Sequence, residues 1–242
     1  MPRRIEGWEA SLAELEQAQD AVTAARERRL VPKLARRPDR PLAITGARLF
    51  DAEAGAVRPN MSVLIEGDRI QAVAPDGELT VPEGTEVLDA AGRTLLPGLW
   101  DMHVHLGDSD GMLHLAAGVT AVRDLANDTD KLLELKRKYE AGVTLVAGTD
   151  SLAGFALHRE LELYVDAGIP APRVLQIATW EAARVARRGD QLGSIAPGKL
   201  ADLVLVDGAP DQSIRDIRRI DWVMQNGTIY RPEALYQALG VS

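Results

Sequence analysis

Two histidines, His103 and His105, lie two residues apart at the end of an apolar run, in residues 95–106 (LLPGLWDMHVHL). Side chains at positions i and i+2 of a β-strand point to the same face. In a strand, both imidazoles would therefore converge on one point, as the binding of a metal ion requires. The alternative is a pair of partly buried histidines whose ring nitrogens bond to backbone groups.

Two further segments have a pattern that bears on this site. Residues 143–150 (VTLVAGTD) form another apolar run, which ends in the carboxylate Asp150. Residues 193–207 (GSIAPGKLADLVLVD) predict a strand after a Pro-Gly turn. Together with the histidine pair, they resemble the amidohydrolase superfamily of metal-dependent hydrolases, and the residues around the pair and Asp150 are similar to its imidazolonepropionase and prolidase-like branch. The resemblance runs over residues 42–230.

The resemblance implies an α/β fold in which a (β/α)8 barrel carries the active site and a small β-sandwich lies beside it. Such a barrel takes about 250 residues and rarely fewer than about 200, whereas residues 99–193 number only 95. Three barrel-type strands are predicted there, over residues 101–106, 120–126 and 144–150, with a helix over residues 129–141. The sequence therefore predicts a truncated barrel remnant of about three parallel strands that lacks the middle five.

The resemblance also implies a set of metal ligands. In the family, a zinc-like divalent ion held by the histidine pair and the aspartate polarises a water, and the aspartate takes the proton of that water as it attacks a carbonyl. In this chain the ligands would be His103, His105 and Asp150, with Asp150 also the catalytic residue. The family's bridging lysine and two further histidines fall in the missing part. We therefore expect at most one ion per chain, with zinc as the expected metal.

The two other histidines of the chain, His114 and His158, lie in helix-like contexts. For His114 a solvent-facing or capping role is favoured. His158, in the segment ALHRELELYVDAG, resembles a histidine that family members carry just after the aspartate strand. It is a candidate substrate-binding residue at the mouth of the pocket, although a structural role is favoured.

Two orders of the three predicted barrel strands remain open. The family's barrel places its first, second and eighth strands side by side, which would put Asp150 next to His103 and His105. A short right-handed crossover could instead deliver the Asp150 strand to the far side of residues 120–126. The carboxylate would then lie about one strand spacing, about 5 Å, further from the histidines.

Short predicted strands, separated by turn residues, flank the barrel segment on both sides. They are predicted over residues 42–49, 62–66, 69–74, 86–89, 201–206 and 222–230, and Asn226-Gly227 is a hairpin signal in the last of these. We therefore expect a composite β-sandwich from residues 41–98 and 194–232. The barrel remnant would occupy residues 99–193, and residues 233–242 would form a C-terminal tail.

The N-terminal 40 residues have a different pattern. Apolar residues recur there at three- and four-residue spacing, which predicts one face of an amphipathic helix: Trp8, Leu12, Leu15, Ala18, Val22 and Ala25. A basic linker follows over residues 26–40. The apolar face of the helix would pack either on the body of the protein or on a second copy.

Composition and charge exclude several classes of function. The net charge of −8 argues against nucleic-acid binding. The chain has no cysteine, which excludes disulfides and thiolate metal ligands. No apolar run approaches the roughly 20 residues of a membrane span. The N-terminus lacks the apolar core of a signal peptide, so we expect no membrane partner and a cytoplasmic location.

Two functions of different class fit these residues. The first is an amidohydrolase-type hydrolase acting on C–N bonds of small amides or dipeptides, or on esters. The loss of barrel strands would impair it, and it would act alone or after two chains complete each other's barrel. The second is a non-catalytic remnant that serves as a metal-binding or oligomeric scaffold. Open strand edges favour a homo-oligomer in both cases.

Overall fold

The computed structural model shows a mixed α/β chain. It describes residues 14–15, 18, 22, 25–26, 29–30, 32–104, 110–124 and 146–241. The predicted helix over residues 129–141 and the candidate ligand His105 therefore lie outside the described residues.

Strands dominate both ends of the described chain. In chain order they are β1 (Leu42–Asp51), β2 (Ala56–Glu66), β3 (Arg69–Pro75), β4 (Glu86–Asp89), β5 (Thr94–Pro97), β6 (Leu99–Val104), β7 (Val119–Asp124), β8 (Leu203–Val206), β9 (Ile220–Gln225) and β10 (Thr228–Tyr230). The strands predicted outside residues 99–193 are all present, with their ends moved by a few residues. Residues 222–230 form the predicted hairpin, in which β9 and β10 are joined at Asn226 and Gly227.

The helices of the described residues lie mainly between β6 and β8. They are α1 (Asp110–Ala116), α2 (Phe155–Asp166), α3 (Ala171–Gln176), α4 (Ala182–Val185) and α5 (Pro232–Leu239). A π-helical turn, Ile177–Glu181, joins α3 to α4, and a 3₁₀ turn, Ile214–Arg218, precedes β9. No helix within the described ranges is long and apolar enough to cross a membrane.

Eight strands form one sheet in the order β10-β9-β8-β5-β1-β2-β3, with β4 paired to β1. The N-terminal and C-terminal strands meet where β5 pairs antiparallel with β8, from Thr94 opposite Val206 to Pro97 opposite Leu203. The expected composite sandwich is therefore seen as one continuous hydrogen-bonded sheet, and the domain boundaries stay a prediction. The β5–β8 pair also brings together the two ends of the region between them.

Alternation along the central strands creates a buried cluster on each face of this sheet, because successive side chains of a strand point to opposite faces. Leu203 and Leu205 of β8 lie in the cluster that contains Trp222. Val204 and Val206 lie in the other cluster, which the helices cover. That second cluster also includes Leu99 of β6 and residues of the following helices, so the sheet and the candidate site share one core.

The C-terminal segment, expected as a tail over residues 233–242, carries helix α5. Helix α5 begins with Pro232, whose fixed φ suits the first helical position, and ends at Gly240 with a φ of 75°. Its Leu235 is buried against Met112 and Ala116 of α1. The C-terminus therefore packs on the helix that follows β6.

The described residues between positions 14 and 34 are helical, in agreement with the predicted N-terminal helix. Two members of its apolar face, Leu15 and Val22, are 57% and 69% exposed. At these positions the helix does not pack on the body of the protein. Contact of this face with a second copy stays a prediction.

Because buried clusters cover both faces of the sheet, shortening the fully buried Val204 of β8 should destabilise the protein. Val204→Ala removes two methyl groups from a packed site and should lower the free energy of unfolding by about 1.5–3 kcal/mol. The matched control is Val87→Ala in β4, where the side chain is 60% exposed and the change should stay within about 0.5 kcal/mol. Urea unfolding of the two variants checks this, and equal losses would contradict the assignment of Val204 to the core.

Candidate metal centre

Strand β6 has one apolar face and one polar face. Trp100 and Met102 are buried against Ala182 and Ala183 of α4. Because side chains alternate along a strand, Asp101 and His103 project to the other face. His103 is half-buried, and its Nε2 atom is closed off from solvent.

Residues 146–150 lie along one edge of β6. The amide of Met102 donates to the carbonyl of Ala147 at 2.8 Å, and the amides of Thr149 and Asp150 both donate to the carbonyl of His103, at 3.0 and 2.6 Å. The other edge of β6 pairs parallel with β7, with Leu99 opposite Val119. Asp150 therefore lies on the near side, beside His103, and the alternative order with this segment beyond β7 is wrong.

The predicted strand over residues 144–150 is not formed in its described part, residues 146–150. Its described residues run alongside β6 but make no regular strand ladder. The reason is local, because two consecutive amides converge on the single carbonyl of His103 and Asp150 takes a φ of 46°. Aspartate tolerates this left-handed conformation better than most residues. The chain thus turns away from β6 at Asp150.

Gly148 allows the close approach of this segment to β6. A Cβ atom at this position would lie 2.3 Å from the Cβ of His103 and 2.9 Å from its amide nitrogen. No heavier residue fits without moving one of the two segments. The glycine of the AGTD sequence is therefore required by the position of His103.

Asp101 joins the two segments through its side chain. Its Oδ1 accepts hydrogen bonds from the amides of His103 and Thr149, both at 3.1 Å. Its Oδ2 accepts one from Thr149 Oγ1 at 2.8 Å. Asp101 is fully buried, and burial raises its pKa while these three hydrogen bonds oppose that rise. The sequence patterns pointed to neither Asp101 nor Thr149, although Asp101 precedes the histidine pair at the same two-residue spacing.

A second carboxyl, Glu160 of α2, lies in the same region. Burial is the main cause that raises its pKa, and the charge of Asp101 adds to the effect. Glu160 forms a side-chain hydrogen bond with Tyr164, whose own pKa is raised mainly by burial. The hydroxyl of Tyr164 also reaches the carbonyl of Val146 at 3.5 Å, at the start of the segment that ends in Asp150.

The donor set fits a single divalent ion of the zinc type, which binds imidazole nitrogens and carboxylate oxygens in sites with three protein ligands and an open position. Two of the three predicted ligands, His103 and Asp150, lie side by side. The third, His105, lies outside the described residues. Among the described residues alone, no group of three metal-ligating side chains is found.

His158 makes a structural contact. It is buried in α2, and its Nε2 lies 2.8 Å from the carbonyl of Ala117. It borders a cleft of about 880 Å³ that is also lined by Phe155, Arg218 and Tyr236. Neither His103 nor Asp150 lines this cleft. These contacts favour the structural role of His158, and its candidate role in substrate binding gains no support from them.

We expected His114 to be solvent-facing or capped, but it is buried in α1. Burial is the main cause that lowers its pKa, and the nearby charge of Asp110 opposes this. The helix has buried residues at alternate positions, Met112, His114 and Ala116, because it lies between β7 and α5 and contacts both. A helix covered on two sides leaves no exposed face for His114.

The close approach at residue 148 predicts that Gly148→Ala is destabilising. The added methyl must displace the backbone of β6 or of its neighbour, so we expect a loss of about 1–3 kcal/mol in the free energy of unfolding. The control is Gly111→Ala in α1, where a Cβ meets nothing within 4 Å and alanine should be neutral or stabilise by up to about 1 kcal/mol. Urea unfolding compares the variants, and equal stability would contradict the contact.

The burial of His158 predicts a pH-dependent stability. Burial lowers its pKa from 6.5 to about 4, with a further contribution from Arg218 and opposition from the Ala117 carbonyl and Glu162. Between these pH values the unfolded chain binds the proton and the folded chain does not, so stability falls as the pH drops from about 6.5 to 4. The loss from this residue is at most about 3 kcal/mol.

His158→Gln keeps an N–H donor for the carbonyl of Ala117 but does not titrate. The variant should therefore lose less unfolding free energy than the parent between pH 7 and pH 4.5, as measured by urea titration. His114, whose pKa is also lowered, contributes to the pH dependence of stability that remains in the variant. If parent and variant show the same difference between the two pH values, His158 is not buried as a neutral group.

Comparison with known proteins supports the resemblance seen in the sequence. The model of the amidohydrolase family matches residues 112–230. An adenine deaminase of Rubrobacter xylanophilus is 44% identical over 68 residues, which cover 28% of this chain and 11% of that protein. A dihydroorotase of Geobacter sulfurreducens is 29% identical over 180 residues, which cover 74% of this chain and 38% of that protein.

Solved structures share the fold at lower sequence identity. The crystal structure of a putative prolidase from Bifidobacterium longum has a TM-score of 0.71 and 16% identity, with 83% of this chain and 98% of that chain covered. The chain thus spans well under half the length of these two curated relatives and yet resembles the fold of the prolidase. Residues 112–230 thus match the amidohydrolase family, and the curated relatives and the shared fold agree with this match.

Proposed function

We propose that this chain is a metal-dependent hydrolase that cleaves a C–N bond of a small molecule by attack of water. The observation that supports this best is the hydrogen bond from the amide of Asp150 to the carbonyl of His103 at 2.6 Å. It places the segment of the candidate base beside the strand that carries the first imidazole. The proposed chemistry needs the imidazole and the carboxylate close together, and this backbone contact between their two segments supports such an arrangement.

The proposed roles follow from the side-chain chemistry. His103, His105 and Asp150 would hold the ion through two neutral nitrogens and one carboxylate oxygen. A bound divalent ion can lower the pKa of a water from 15.7 to about 7. The carboxylate of Asp150 would accept the proton of the attacking water. The packing of Trp100 and Met102 on α4 holds β6 in place beneath these groups.

The substrate class is proposed from the names of the relatives. Adenine deaminase, dihydroorotase and prolidase are proteins that act on C–N bonds of small molecules. We therefore propose a small amide, cyclic amide or dipeptide, with an ester as a further candidate. The 95 residues from 99 to 193 are too few for a complete eight-stranded barrel. We propose a truncated barrel whose turnover is weak in the monomer and improves when copies associate.

A metal-binding scaffold without turnover is the second candidate, and the same short region favours it. Pockets of this fold are built from the loops that follow the barrel strands. With fewer strands, fewer loops are available to hold a substrate and to exclude water. Metal binding and turnover must therefore be measured separately.

The test compares the parent chain with Asp150→Asn. Asparagine accepts the left-handed backbone found at this position, so the variant removes the charge with little strain. Asp39→Asn is the matched control, since Asp39 has a 95% exposed side chain. After loading with Zn²⁺ and dialysis, mass spectrometry should find about one ion per chain in the parent and the control, and far less in Asp150→Asn.

Turnover is then assayed with dihydroorotate, adenine and a Xaa-Pro dipeptide, on monomer and oligomer fractions. We expect hydrolysis of at least one substrate class in the parent and none in Asp150→Asn or His103→Ala. Retention of zinc without turnover of any substrate would favour the scaffold. If the parent retains no zinc, the metal site does not form and the proposed hydrolase is wrong.

A further inference from the structure

We infer that Asp101 is a positioning residue, whose carboxylate fixes the register of residues 146–150 against β6 and so sets where Asp150 lies relative to His103. The inference rests on the proposed function for its catalytic meaning. Its structural part, the link between Asp101 and the placement of Asp150, is independent of metal binding and is tested separately.

Few backbone hydrogen bonds hold this segment to β6. One joins Met102 to Ala147, and the other two share the carbonyl of His103. A shared acceptor fixes a register less firmly than a full ladder, in which each carbonyl receives its own donor. Side-chain contacts must therefore supply part of the constraint on the position of Asp150.

The buried carboxylate of Asp101 supplies such a constraint, because it bonds to both β6 and residues 146–150. It accepts from the amide of His103 on one segment and from the amide and hydroxyl of Thr149 on the other. All three donors flank the candidate ligands directly, because Thr149 precedes Asp150 and His103 is a ligand itself. A slip of one segment against the other by one residue would break the two bonds to Thr149.

Both oxygens of Asp101 are engaged by these donors, and the residue is fully buried. It therefore acts on the site through Thr149 and His103. A buried carboxylate is costly unless hydrogen bonds compensate, and here charge-assisted bonds to both segments do so. Groups that orient metal ligands in this way typically change metal affinity by 10- to 100-fold when they are removed.

Replacement by asparagine separates geometry from charge. The Oδ1 of asparagine can accept from both amides, and its amide group can donate to Thr149 Oγ1, since a hydroxyl both donates and accepts. Asp101→Asn should therefore keep the register, whereas Asp101→Ala should lose it. If Asp101 acted through its charge, as a ligand or a base, both variants would fail alike.

The first readout is hydrogen exchange of the Thr149 and Asp150 amides in the metal-free protein. We expect at least tenfold faster exchange in Asp101→Ala and less than threefold change in Asp101→Asn. Tyr164→Phe is the matched control, because it also removes a buried polar contact to the same segment, at Val146, but leaves Asp101 in place. It should exchange like the parent at both amides.

The second readout is the affinity for Zn²⁺ alone, measured by competition with a chelator. Asp101→Ala should bind zinc 10- to 100-fold more weakly, while Asp101→Asn and Tyr164→Phe should stay within about threefold of the parent. If Asp101→Ala does not fold, Thr149→Val removes only the hydroxyl bond and should show a smaller loss of both properties, with Thr149→Ser as its rescue.

Unchanged amide exchange and zinc affinity in Asp101→Ala would overturn the inference, and so would equal losses in Asp101→Asn and Asp101→Ala. If the parent binds no zinc, the proposed function fails, but the amide exchange still decides whether Asp101 holds Asp150 in place. Faster exchange in Asp101→Ala with rescue in Asp101→Asn would then support the structural part on its own.

Discussion

The antiparallel pairing of β5 with β8 is the constraint on which the rest of this structure depends. It joins strands that are more than a hundred residues apart in the chain and so connects the N-terminal and C-terminal strands into one eight-stranded sheet. Gly98, directly after β5, donates its amide to the carbonyl of Asp202, directly before β8. The segment that leads into β6 is therefore anchored to the segment that leads out of the helices, whatever the length of chain between them. This pairing lies outside residues 99–193, for which we propose a truncated barrel.

Above this anchor, the site is assembled from short contacts between two extended segments. Packing of Trp100 and Met102 on α4 fixes one face of β6 and directs Asp101 and His103 to the other. Gly148 allows the second segment to approach, and the carbonyl of His103 receives two of its amides. These contacts join segments that are far apart in the chain, and the helices that follow Asp150 bring the segments together by packing into the same core as the sheet.

Most strands of the eight-stranded sheet and the polar face of β6 were predictable from the sequence, because alternation and turn residues act over a few neighbours, whereas β5 and the irregular path of residues 146–150 were not. The order of the segments around β6 was not, since both a barrel-like neighbour and a crossover satisfied the same pattern. His114 was placed wrongly for a similar reason. Its helix is covered from two sides, by β7 and by α5, and periodicity within a seven-residue helix cannot reveal a second covering layer.

The sequence by itself determined the residue types available for chemistry, the two-residue spacing of the histidines, and the strand that carries His103, because these follow from side-chain chemistry and local backbone preference. Tertiary structure decided that Asp150 lies beside His103, that Asp101 and Thr149 hold them in register, and that His158 bonds to the carbonyl of Ala117. These are contacts between segments some 40 residues or more apart in the chain. Such neighbours are chosen by the burial of a shared core, which no local pattern encodes.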